Sequence, residues 1–153
     1  MKRLELIRRV RSLTRDFSNS IFREQDIIDF INEGVNRFKQ VIPVFKGVEL
    51  LLSQQQEVIL IPEQYQHLLA VYSASRCYGQ DERHYQATTL MNEFEYKIED
   101  LSSKIDSGDV VIINPETGMD MKKEMDKDSE ASYVDLEPYW GKNKTTLLGE
   151  GGE

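Results

Sequence analysis

The 153-residue chain carries a formal net charge of −8, is 39% hydrophobic and holds one cysteine, Cys77, and two histidines. That length suits one domain with extra segments, and a lone cysteine excludes an intramolecular disulfide and, with so few histidines, a usual structural zinc site. No apolar run reaches the roughly 18 residues of a membrane span, and the charged start lacks the apolar stretch of a secretory signal, so the chain reads as made and used in a cytoplasm.

The first expected helix runs from Leu4 to Phe17, where Leu4, Ile7, Val10, Leu13 and Phe17 form one apolar stripe. Arg8, Arg9, Arg11 and Arg15 make this element basic. Residues 1–16 carry +4, residues 17–113 carry −7 and residues 114–153 carry −5. Such asymmetry points to a basic element facing an acidic partner surface, another copy of the chain included, or facing DNA. The acidic whole argues against broad nucleic-acid coating, whose affinity rests on phosphate contacts. Residues 16–20 read as a loop.

The second helix is expected over Glu24 to Val41. Its apolar face is Ile27, Ile28, Ile31, Val35, Phe38 and Ile42, with acids in the first turns and Pro43 as the stop. Gly34 lies inside it at a cost of about 1 kcal/mol against alanine. That cost points to close packing by another backbone, a merely tolerated glycine being the commoner case.

Val48–Ser53 and Glu57–Ile61, apolar runs around Gln54, Gln55 and Gln56, predict a β-hairpin over about 48–61. A lone hairpin is marginal in water, so Val110–Ile113 is expected as a third strand. The glutamine tip is the expected loop contact. Pro62 opens a third helix, with Tyr65, Leu68, Leu69, Tyr72 and Arg76 on one side and Ala70, Ala74 and Cys77 on a small-residue side. A fourth follows Gly79–Glu82 and runs to about Asp106 through Ala87, Leu90, Met91, Phe94, Ile98, Leu101 and Ile105.

From Asn114 onward the aliphatic bulk is only Val134, Leu136, Leu147 and Leu148, too little to offset ordering entropy unaided. The segment still holds Tyr133, Tyr139 and the only tryptophan, Trp140, residue types that anchor interfaces. Residues 114–153 therefore read as an extended C-terminal arm on a domain of residues 1–113. Its expected anchors are Tyr133, Leu136, Tyr139, Trp140, Leu147 and Leu148. The fold class is mainly α: four helices, a small hairpin and the arm.

Little points to catalysis. His67 and His84 read as surface or boundary residues, and Cys77 as a buried small residue without a nucleophile's signature. Glu93, Glu95, Glu99 and Asp100 read as a solvated helix face. The acids of residues 116–128 lack the spacing of a calcium loop, and no glycine-rich phosphate loop is present. The chain is expected to be a structural part, not an enzyme, with no cofactor or metal.

The order of elements resembles the head-to-tail connector, or adaptor, proteins of tailed bacteriophages over about residues 1–106. Phe22 through Gly34 looks like the family's acidic start followed by apolar-Ile-Asn-Glu-Ala/Gly. Ile61-Pro62-Glu63-Gln64-Tyr65 looks like its Leu-Pro-x-x-Tyr helix entry, and Tyr72-Ser73-Ala74-Ser75-Arg76 resembles its Tyr-Ala-x-Ala-Arg core. Ala87 through Glu95 resembles its Ala-x-x-Leu-x-x-x-Phe-Glu helix. Arg23 stands where a capping residue is usual, and Ser73 where alanine is commoner. The resemblance implies a homo-oligomeric ring, typically a dodecamer, in the virion neck. It would sit below the portal protein, receive tail proteins, let DNA pass through its channel without specific binding, and grip the portal with a C-terminal arm. A small helical DNA-binding regulator using the basic first helix is the alternative.

Overall fold

The computed structural model describes residues 1–52, 56–58 and 60–127. This described part is mainly helical. Helices α1 (Arg3–Thr14), α2 (Glu24–Val41), α3 (Glu63–Gln80) and α4 (His84–Ser107) are joined by a 3-10 turn at Pro43–Gly47 and by irregular segments. Residues 121–127 are also helical. None of these helices is long and apolar enough to cross a membrane.

The central element is α3, which packs on α1, α2 and α4. Its small-residue side explains this. Ala70, Ala74 and Cys77 are buried, and the Ser73 hydroxyl donates to the Ile27 carbonyl of α2 at 3.0 Å. Small side chains let helix axes approach closely, and the one hydroxyl among them is satisfied rather than stranded. Burial pushes the Cys77 thiol up to about 12, so it is held as an inert thiol.

Around this seam an aromatic cluster closes the core. Phe38 of α2 meets Phe45 and Phe94 edge-on, with ring centroids 5.7 and 5.9 Å apart, and Tyr72 meets Phe94 at 5.0 Å. Each such pair adds about 1 kcal/mol beyond area burial. Gly34 sits under the Tyr72 side chain: a Cβ there would lie 3.3 Å from three of its carbons. The close neighbour is thus a ring and not the backbone expected.

Ionic ties finish the exterior. Arg37 of α2 donates twice to Glu95 of α4, each bond at 2.9 Å, and Arg76 of α3 reaches Glu33 of α2 at 3.0 Å. Bidentate arginine–carboxylate geometry is the stronger of the two kinds. The Glu95 hydrogen bond raises the already high Arg37 pKa against the opposing effect of burial.

The expected hairpin is not what forms. Among the described residues of 48–61 there is no strand. Residues 56–58 pair instead with the chain's start. The Arg3 N–H donates to the Gln56 carbonyl at 3.2 Å and the Val58 N–H to the Met1 carbonyl at 3.3 Å, around a Lys2–Glu57 bridge. Side-chain amides hold the rest. Asn32 of α2 accepts from the Leu51 N–H at 2.8 Å. Gln66 of α3 donates to the Val58 and Ile61 carbonyls at 2.6 and 2.7 Å. Buried backbone must find partners somewhere, and two helices supply them here in place of a ladder. Val110–Ile113 is likewise no third strand. Ile113 bridges Asp120, and the Met121 N–H donates to the Ile112 carbonyl at 2.9 Å.

The chain past Ile113 thus turns back on itself before it continues. The Asn114 N–H donates to the Met119 carbonyl at 2.9 Å, and Gly118 takes positive φ, +68°, which glycine adopts without a side-chain penalty. Met121 packs on the core, and Lys122 Nζ donates to the Asp106 carbonyl at 2.9 Å. Met121 and Lys122 thereby tie the start of the expected arm to the helical body.

Candidate interaction surfaces

α1 ends abruptly. Arg15 takes a left-handed conformation, φ 58°, and its N–H and that of Asp16 bond back to the last turn. A non-glycine residue in this region costs of order 1 kcal/mol, and the Asp16 carboxylate repays it. It accepts from the N–H groups of Ser20, Ile21 and Phe22 at 3.0–3.2 Å and from the Arg11 guanidinium. Burial pushes this carboxyl up, but those three donors and the Arg11 charge outweigh it and hold the group below its usual range.

The four arginines expected on one basic side therefore separate. Arg11 turns inward to Asp16 and the Phe22 carbonyl. Arg9 pairs with Glu5 one turn back. Arg8 is exposed and lines a cleft between α1 and the start of α2, together with Arg11, Arg23, Leu4 and Phe22. Arg15 faces another groove at the opposite end of α1.

That second groove exists because α1 and α4 both pack on α3 and, among the described residues, not on each other. It measures about 370 Å³ and is lined by Leu13, Arg15, Tyr78, Arg83, Tyr85 and Leu90, among others. Tyr78 anchors its base by donating its hydroxyl to the Leu13 carbonyl at 3.0 Å. Arg83 lies over the Tyr78 ring at 6.0 Å and pairs with Asp81 at 2.9 Å. Leu13 is 40% exposed and Tyr85 82% exposed, and Phe17, just past the α1 end, is 77% exposed. Val111, Ile113, Met119 and Met125, in the segment that follows α4, are also exposed. The helix α4 leads from the groove to that segment. Its 24 residues span roughly 36 Å at 1.5 Å each.

The remaining expected residues are quickly placed. Gln56 accepts the Leu52 N–H on its side-chain oxygen at 2.7 Å; Gln54 and Gln55 lie outside the described residues. So do Tyr133, Leu136, Tyr139, Trp140, Leu147 and Leu148. His67 bonds locally to the Gln64 carbonyl, and His84 is exposed. Glu93 pairs with Lys97, and Asp100 with Lys104. Among the described residues no three His, Cys, Asp or Glu side chains come together as metal ligands. Tyr85 stands outside the fourth helix's apolar stripe, a sign in the sequence of its exposure, whereas Val111, expected within a strand, is exposed instead. No protein-family model, curated protein or solved structure matches this chain.

Proposed function

We propose that the chain is a head-to-tail adaptor of a tailed bacteriophage, a subunit of a ring that bridges portal and tail and extends the DNA channel. Its mechanism is binding, not turnover. The observation that carries this reading is the presence of exposed apolar side chains near both ends of α4, Leu13 and Tyr85 by its start and Val111 and Ile113 past its end. One chain with two different sticky ends makes heterologous contacts, and these close into rings when the rotation permits. Large exposed apolar side chains gathered in one region mark interaction sites. The helical setting of the quoted motifs is consistent with this reading. Ile61–Tyr65 enters α3, Tyr72–Arg76 lies within α3, and Ala87–Glu95 lies within α4.

In this reading the arm anchors Tyr133, Leu136, Tyr139, Trp140, Leu147 and Leu148 reach a neighbouring protein. Many weak contacts made together around a ring give high avidity. The DNA-binding alternative is less well supported, since Arg11 is committed to Asp16 and Arg9 to Glu5. The test is co-assembly of the full chain with a portal ring, read by particle mass. Tyr139→Ala with Trp140→Ala is expected to abolish association while leaving the helical circular dichroism unchanged. Undiminished association by that variant, or no association by the wild type, would remove the arm from the proposal.

A further inference from the structure

The groove between α1 and α4 combines three properties. It is apolar at Leu13, Tyr85 and Leu90, basic at Arg15 and Arg83, and anchored by the buried Tyr78. Asp81 answers Arg83, whereas Arg15 has no ion pair among the described residues. The chain itself carries a segment of matching chemistry. Residues 128–140, Asp-Ser-Glu-Ala-Ser-Tyr-Val-Asp-Leu-Glu-Pro-Tyr-Trp, hold four acids and no lysine or arginine, interleaved with Tyr133, Val134 and Leu136. Acids would face Arg15 and Arg83, and the tyrosine and aliphatic side chains would cover Leu13, Tyr85 and Leu90.

Chain length at Tyr133 favours a segment from another copy. The described chain leaves the body next to the last turn of α4, where Lys122 bonds the Asp106 carbonyl. The groove's α4 side chains, Tyr85 to Leu90, lie roughly 24–32 Å before Asp106 along the helix. Tyr133 lies six residues beyond Lys127, and a fully extended chain of that length reaches only about 20 Å. A second copy has no such restriction. We propose that the α1–α4 groove receives the acidic-aromatic segment of residues 128–140 from a second copy of this chain. The groove lies by the first turns of α4 and the segment follows residues held at its last turn, so the contact is between two different surfaces and propagates from copy to copy.

This inference rests on the ring reading above and supplies its subunit-to-subunit contact. It is measured on the isolated full-length chain, so it can fail while portal association stands, or stand while portal association fails. Sedimentation over a concentration series should show self-association that weakens as salt rises. A groove variant, Arg15→Glu with Tyr85→Ser, should raise the association midpoint at least tenfold. A segment variant, Tyr133→Ser with Leu136→Ser, should do the same. The affected groove side chains are exposed, and unchanged circular dichroism checks that both variants fold. Mixed in equal amounts, the two should form one-to-one pairs and nothing larger, because each partner keeps only one working half. The inference is overturned if the wild type stays monomeric, if either variant associates like the wild type, or if the mixture gives no pairs.

Discussion

Two long helices of this protein are used in opposite ways. α3 buries ten of its eighteen residues and touches every other α-helix, whereas α4 buries four of twenty-four, all of them from Phe94 onward. The first ten residues of α4 hold no fully buried side chain; Leu90 and Met91 pack partly on the core, and Ser75 Oγ donates to the Ala87 carbonyl at 2.6 Å. The first half of α4 thus covers the core with one side only and leaves most of its surface exposed. Propensity and the continuing ladder carry it, since adding residues to an existing helix is far easier than starting one. The outer end is thereby free to face another molecule.

The comparison breaks most severely at Phe94. Phe94→Ala removes the ring on which both Phe38 and Tyr72 lean, and a cost of about 3–5 kcal/mol is expected, read as a lowered midpoint in chemical unfolding. Next in size is the clamp that ends α1. Asp16→Asn leaves Arg11 without its counter-charge, for a loss of about 2–3 kcal/mol. The same carboxylate makes stability acid-sensitive. Its folded pKa lies below its unfolded value, so its contribution is full above the ordinary carboxylate range and is lost as pH falls through the folded pKa. Below about pH 4 the wild type should lose stability faster than Asp16→Asn. At the small end, Tyr85→Ser and Tyr96→Ser, both on the exposed side of α4, should each change stability by less than about 0.5 kcal/mol. A larger loss in the isolated chain would mean that this side is covered from within.

The helices were legible because their signals are local. α2 occupies Glu24–Val41 as its apolar face and Pro43 require, and Cys77 is buried as its small-residue stripe requires. α1 stops at Thr14 and not at Phe17, because Asp16 captures the following N–H groups and turns the chain first. The apolar runs at 48–61 look like a hairpin from within, yet their partners are Asn32, Gln66 and the chain's first residues. Nothing within the runs encodes partners so distant in sequence. The Tyr72 ring over Gly34 was equally invisible, for the same reason. The surface side of the problem was less legible still. Exposure of Tyr85 depends on α1 and α4 diverging, which is a property of three-helix packing and not of either helix.

Cys77 turns this architecture into its own gauge. It is the chain's only thiol, it lies in the α3 seam, and burial keeps it protonated. Alkylating reagents attack the thiolate, so they find it only when the seam itself comes apart. Slow labelling of the native chain therefore counts whole-body openings, undisturbed by fraying at helix ends or by whatever docks on the outside.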